Sequence, residues 1–328
     1  MVASAVRQDG CVLDVVVPVL LLVLGAALLT AGAEAFAEHV TAAAARLQVS
    51  VLALGVLLAG AEPEEAVTAM LASGQGHPAL ASGDAVGANL VILTLALGLA
   101  ALLTRLPVSR RVLEYGAAAA LAGVLTTVFL WNGVMSRVEG AVLVLGYVVG
   151  VVWVWRRERQ PPVIGELAEV VDDLHGDGDG EPSRSLLLVL LGLLGMVAGG
   201  FLAVRGSRGL VDVFDVTESV IGLTVLALAT SAEMVALVWA AQRRGISELV
   251  VAGAVGAVAY NATMSVGLAA LVSPIAIGKG SPITTAAAVT AILPLVLLLG
   301  RRTGSLPRPV GLLLLVGYVA CTGWLFAR

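Results

Sequence analysis

Apolar residues fill this chain in long blocks. "VVVPVLLLVLGAALL" (15–29), "LLLVLLGLLGMVAGG" (186–200) and "AAAVTAILPLVLLLG" (286–300) carry no charge, and similar blocks continue to the C-terminus. About twenty such residues carry a helix across a bilayer. The pattern predicts ten spans, near 12–33, 49–73, 79–104, 112–131, 138–155, 185–205, 218–241, 247–273, 283–300 and 308–326. Between the first two, "EAFAEHVTAAAARLQ" is helix-prone but too polar to cross, and is expected to lie along the interface. The predicted fold class is an all-α integral membrane protein.

Composition strengthens that reading. The chain has 328 residues, 59% hydrophobic and only 13% charged, where soluble domains carry about 25%. One signal peptide does not account for apolar blocks that run the length of the chain. A multi-pass protein of an inner or plasma membrane is expected. Its partners are then the lipid bilayer and inorganic cations, with no nucleic acid; the oligomeric state is not legible. Cys11 and Cys321 fit no metal or disulfide framework and read as apolar filler. No cofactor motif is present.

One segment breaks the pattern: "RRERQPPVIGELAEVVDDLHGDGDGEPSR", 156–184. It separates residues 1–155 from 185–328, five predicted spans each. Its "DLHGDGDGE" invites a calcium-loop reading, which needs a Glu at the twelfth position. Counting from Asp173 gives Arg184, and from His175 gives Leu186. A flexible, solvated acidic linker is the better reading. With the N-terminus outside, thirteen of the 19 Lys and Arg residues fall on the cytoplasmic side. That places the linker inside and both termini outside.

The two halves also align with each other. At an offset of 169 residues, "SVLALGVL" (50–57) meets "SVIGLTVL" (219–226), "DAVGA" (84–88) meets "GAVGA" (253–257), and "GLAAL" (98–102) meets "GLAAL" (267–271). Glu64 falls opposite Glu233 and Thr94 opposite Thr263. Homologous halves with an odd number of spans must lie inverted in the membrane. Transporters built this way bind their cargo near the midplane, where the repeats meet.

Carboxylates inside an apolar block are costly, so they point to function. "LLAGAEPEEAV" (57–67) holds Glu62, Glu64 and Glu65. Glu64 and Glu233, singled out by the repeat, are the expected cation ligands. Thr230, Ser231, Asn261 and Asn89 stand near them in sequence as further oxygen donors. Glu62 and Glu65 share a helix face at i, i+3 while Glu64 points elsewhere; both structural and ligand roles stay open for them. Glu62 falls opposite Ser231, not an acid, so its role is expected to be lesser. Asp84 reads as a helix start. Thr94 and Thr263 read as bonded to their own helices, and Trp131, Trp153, Trp155 and Trp324 as interfacial.

These motifs resemble the cation/calcium exchanger superfamily of sodium/calcium and proton/calcium antiporters. There, each half opens with a Gly-rich span; here "GAALLTAGAEAFAEHV" and "GGFLAVRGSRGLVDVF" hold that place. The family's "GTSLPE" or "GNxxE" motif corresponds to "AGAEPEE" and "ATSAEM", and its "GNxxGSN" motif to "GDAVGAN" and "AGAVGAVAYN". The resemblance implies ion binding by Glu64 and Glu233 with Thr230, Ser231, Asn261 and Asn89 around them. Two departures stand out. Gly60 and Ala61 replace the "TS" hydroxyls in the first half, and the "GTSLPE" spacing selects Glu65 opposite Met234.

The expected function is therefore a secondary antiporter that exchanges Ca2+, or a similar cation, for Na+ or H+ by alternating access. A proton-coupled exchanger of another cation is the alternative within transport. A non-transporting membrane sensor or scaffold is a further one. An enzyme is disfavoured, since no nucleophile–base constellation is legible.

Overall fold

A computed structural model describes residues 2–46, 62–158, 182–235, 238 and 247–327. The order is α1 (Val2–Arg46), α2 (Pro63–Gly74), α3 (78–103), β1 (Leu106–Pro107), α4 (Arg110–Leu130), β2 (Val134–Met135) and α5 (Arg137–Glu158) in the first half. The second half holds α6 (Pro182–Phe214), α7 (218–230), α8 (247–272), β3 (Ile275–Ala276), α9 (282–300), β4 (Ser305–Leu306) and α10 (Arg308–Phe326). Among the described residues, eight helices are long and apolar enough to cross a membrane; α2 and α7 are shorter.

Local chemistry fixes the ends. Pro63, Pro78 and Pro282 open α2, α3 and α9, where a missing N–H costs nothing. Ser109 and Ser281 cap α4 and α9, each accepting from a backbone N–H at 3.3 Å. Three helices contain a wide π segment: Val91–Ala96 in α3, Gly222–Leu226 in α7 and Asn261–Ser265 in α8.

The helix bounds bear on three expectations. The segment expected along the interface continues α1, one helix of 45 residues. Residues 156–158 lie in α5 and 182–184 in α6, and the rest of the expected linker, 159–181, lies outside the described residues. Of the second predicted span, only Glu62 onward is described.

α1 and α6 meet along a seam of small residues. A Cβ on Gly25 would sit 2.7 Å from the Gly199 carbonyl oxygen, and the reverse holds; Gly32 and Gly192 are related in the same way. One turn pair further, Gly206 would strike the Pro18 carbonyl at 2.6 Å. Numbers rise along α1 as they fall along α6, so the helices are antiparallel. Only glycine permits backbones this close.

The remaining helices surround two apolar clusters. α3 contributes residues 80–86 to one and 92–101 to the other. α8 contributes 250–258 to the second and 266–270 to the first. The two helices therefore run in opposite directions between the same clusters. They are also the most enclosed spans, 78% and 67% buried. Two antiparallel ladders sit at the ends, β1 with β4 (Leu106 opposite Leu306) and β2 with β3 (Met135 opposite Ile275). Gly98 of α3 abuts Gly311 of α10, and Gly267 of α8 abuts Gly140 of α5. Each such contact in one half thus has a reciprocal partner in the other.

Candidate functional site

The polar side chains of interest lie where α3 and α8 pass from one apolar cluster to the other. α2 begins there, with Glu62 before its first turn and Glu64 and Glu65 within it; all three are at most 3% exposed. Glu62 Oε2 accepts from Asn261 Nδ2 of α8 at 2.6 Å. Asn261 Oδ1 in turn accepts from Ser265 at 3.0 Å, which fixes the amide's orientation. Glu65 Oε1 accepts from Ser231, just past α7, at 3.0 Å.

Asp84, fully buried in α3, accepts from Thr230 of α7 at 3.1 Å. It is not a helix start: α3 opens at Pro78, so Asp84 lies well inside the helix. That proline was the signal available in the sequence. Close packing of α3 on α7 makes the contact possible. A Cβ on Gly87 would fall 2.6 Å from the Leu223 carbonyl, and one on Gly222 would fall 2.8 Å from the Leu80 carbonyl. Asn89 donates to the Val258 carbonyl at 3.2 Å.

Three acids of the first half are thus each held by a neutral donor of the second. The structure brings together Glu62, Glu65, Ser231, Thr230 and Asn261 among the expected donors, and adds Asp84. Glu62, expected to be the lesser glutamate, is as enclosed as the others and directly held. Glu64 is buried beside them, and Glu233 is half-buried. Glu62 lies within the electrostatic field of Glu65 and Glu233, and Glu65 within that of Asp84 and Glu233. No Lys or Arg is buried among the described residues. Glu62 Oε1, Glu65 Oε2, Asp84 Oδ2 and Asn89 Oδ1 have no hydrogen-bond donor there. Like charges in such surroundings repel strongly, and a cation among them would relieve the repulsion. The described carboxyls do not by themselves converge into a closed metal cage. The oxygens are spread along three interhelical contacts instead.

The threonines Thr94 and Thr263 bond the carbonyls of Leu90 and Ala259, four residues back in their own helices, as expected. His77 meets Glu218 at 2.7 Å and ties the start of α3 to the start of α7.

The sequence model of the family described as "Sodium/calcium exchanger protein" matches residues 17–156 and 184–327. Among relatives, the inner membrane protein YrbG of Escherichia coli is 28% identical over 84% of this chain and 86% of its own. A protein provisionally named antiporter CaxA, from Alkalimonas amylolytica, is 26% identical over 95% of this chain and 99% of its own. Among solved structures, the sodium–calcium exchanger NCX_Mj soaked with Na+ and Sr2+ superposes with a TM-score of 0.59 at 23% identity. That match covers 94% of this chain and 98% of the other.

Proposed function

The chain belongs to the sodium/calcium exchanger family, and on that premise we propose that it is a secondary antiporter exchanging Ca2+, or a similar cation, for Na+ or H+. It is a multi-pass membrane protein, and the name of its Escherichia coli relative suggests an inner membrane. The cargo site in this reading is the region of Glu62, Glu64, Glu65, Asp84 and Glu233, with Thr230, Ser231, Asn89 and Asn261. Calcium takes six to eight oxygens from carboxylates, amides, hydroxyls and water, and this is such a set.

One observation carries the proposal: buried acids of one half are hydrogen-bonded to donors of the other, with no buried basic residue among the described residues. A membrane protein that stabilised such acids for architecture alone would pair them with Arg or Lys. Contacts that cross between halves also suit alternating access, because relative movement of the halves makes or breaks them. The opposite directions of α3 and α8 and the reciprocal ladders support two inverted repeats, 1–155 and 185–328, joined by the 156–184 linker. The wide π segments beside Asn89, Thr230 and Asn261 support a site that can adjust, since such segments loosen the regular ladder.

Ion flux into proteoliposomes tests the proposal, with Na+ and H+ gradients imposed separately. Ca2+ uptake driven by either outward gradient is expected. Absence of uptake under both gradients, for folded protein and for any of Ca2+, Sr2+ or Mn2+, would overturn it.

A further inference from the structure

A second feature lies away from the acidic site, on the outer side of α4 and α5. A cleft of about 540 Å3 runs between α4, α5 and α8. Its walls are small: Ala118 and Ala122 from α4, Gly146 and Gly150 from α5, Gly256 and Ala259 from α8. Gly146 and Gly150 form a G-x-x-x-G pair, a spacing that usually lets another helix approach. Here a Cβ built on either meets nothing within 4 Å. The pair forms the floor of an open trough instead of a packed contact.

The rim shows what solvates it. Leu121, Leu125 and Val142 line the cleft and are 61%, 40% and 48% exposed, on helices apolar enough to cross the membrane. An apolar trough within a bilayer is filled by hydrocarbon. One end is different. Arg157 and Glu114 line it, bonded at 3.2 Å, and Arg157 lies over the Trp153 ring at 5.3 Å. Arg110 reaches Glu114 at 3.1 Å. Two guanidinium groups thus share one carboxylate, so the cluster carries a net positive charge. Basic pockets between membrane helices, placed beside an apolar groove, suit anionic headgroups.

We propose that this cleft binds one anionic phospholipid, its acyl chain in the trough floored by Gly146 and Gly150 and its phosphate on Arg157 and Arg110. The inner wall gives the lipid a route to the acidic site. Gly256 and Ala259 belong to α8, the helix that presents Asn261 to Glu62. Tyr147, also in the lining, stacks edge-on against Tyr260, the residue before Asn261, with ring centroids 5.4 Å apart. Occupancy would then stiffen α8 beside the site.

Lipid retention tests this directly, by intact-mass measurement of detergent-purified protein titrated with phosphatidylglycerol or phosphatidylcholine. The readout is lipid, so it stands apart from the exchange proposal. Wild type should retain one phosphatidylglycerol in preference to phosphatidylcholine. Arg157→Gln and Arg110→Gln, both at exposed positions, should each weaken phosphatidylglycerol about fivefold and leave phosphatidylcholine unchanged. Gly146→Leu with Gly150→Leu should fill the trough and lower both. Equal retention of the two lipids by wild type would overturn the proposal, as would arginine variants that keep the full preference. If the leucine variant instead converts a dimer to a monomer with lipid retention unchanged, the trough is a subunit interface and the proposal fails.

Discussion

Asn89 donates a hydrogen bond to the backbone carbonyl of Val258 at 3.2 Å, and the two residues are 169 apart in sequence. That separation is also the offset at which the halves align, so Asn89 touches its own counterpart. In a two-fold arrangement, a position meeting its counterpart lies on the axis. Under the proposed inverted repeat, that axis would run where α3 crosses α8, between the two apolar clusters. Replacing Asn89 by Leu removes the donor that ties α3 to the Val258 carbonyl. A loss of about 0.5–1.5 kcal/mol in folding stability is expected, read as a lowered midpoint of thermal unfolding. Asn89→Leu with an unchanged midpoint would show that the contact does not hold the crossing together.

The Asp84–Thr230 contact links α3 to α7 at 3.1 Å. Asp84→Asn and Thr230→Val should each weaken apparent cation affinity, and the double variant should weaken it by less than the two effects combined. A charge-assisted contact of this kind is worth about 1.5–3 kcal/mol. Strict additivity in a double-mutant cycle would show that the two groups act separately.

Much of this architecture was legible in the blocks of apolar residues, because a span must be apolar along its whole length. Pro63, Pro78 and Pro282 each open a helix, a start signal that the apolar pattern alone does not carry. The segment "EAFAEHVTAAAARLQ" is too polar for hydrocarbon, yet nothing in it stops a helix, so α1 runs on through it to Arg46. The seam was visible only in part: glycines recur every seven residues at 25 and 32 and at 192, 199 and 206. Which helix each set met required the fold. Thr230, Ser231 and Asn261 stood out through their motifs. Glu62 has no acid opposite it in the other half, so the alignment alone did not show its neighbour. What the fold supplies is a complement, an amide donor from the other half.

The α1–α6 seam makes a prediction about stability. Gly25→Leu forces a side chain against the Gly199 carbonyl and the Ala203 backbone, which lie 2.5–2.9 Å from a built Cβ. Overpacking of this kind costs about 1–3 kcal/mol or more. The midpoint of thermal unfolding should fall, and Gly32→Leu should act alike. Gly317→Leu, at a position where a built Cβ meets nothing within 4 Å, is the control and should leave the midpoint in place.

In the proposed site, protons and cargo would compete for the same oxygens of Glu62, Glu65 and Asp84, because protonation removes the charge that attracts the cation. Apparent cation affinity should weaken as pH falls. Measured from about pH 8 to about pH 5.5, an unchanged affinity would remove protons from the cycle and leave Na+ as the counter-ion.

The glutamates give the sharpest discrimination. Glutamine keeps the size and the accepting oxygen of each side chain while removing its charge. In Glu65→Gln the amide oxygen still accepts from Ser231, and in Glu62→Gln it still accepts from Asn261, so the fold should survive. The lost charge is what matters at a buried site where no basic residue is buried among the described residues. Each variant should cost several kcal/mol in cation affinity, moderated by any water that enters with the ion. Glu64→Gln and Glu233→Gln test the alternative that the pair matched by the repeat carries the cargo. If those two abolish flux while Glu62→Gln and Glu65→Gln leave it intact, the hydrogen-bonded acids are architectural and the repeat-matched pair binds the ion. If Glu62→Gln or Glu65→Gln abolishes flux in protein that remains monodisperse and inserted, the acids held by Asn261 and Ser231 are ligands. Intact flux in all four variants would end the case for an acidic cation site at the start of α2.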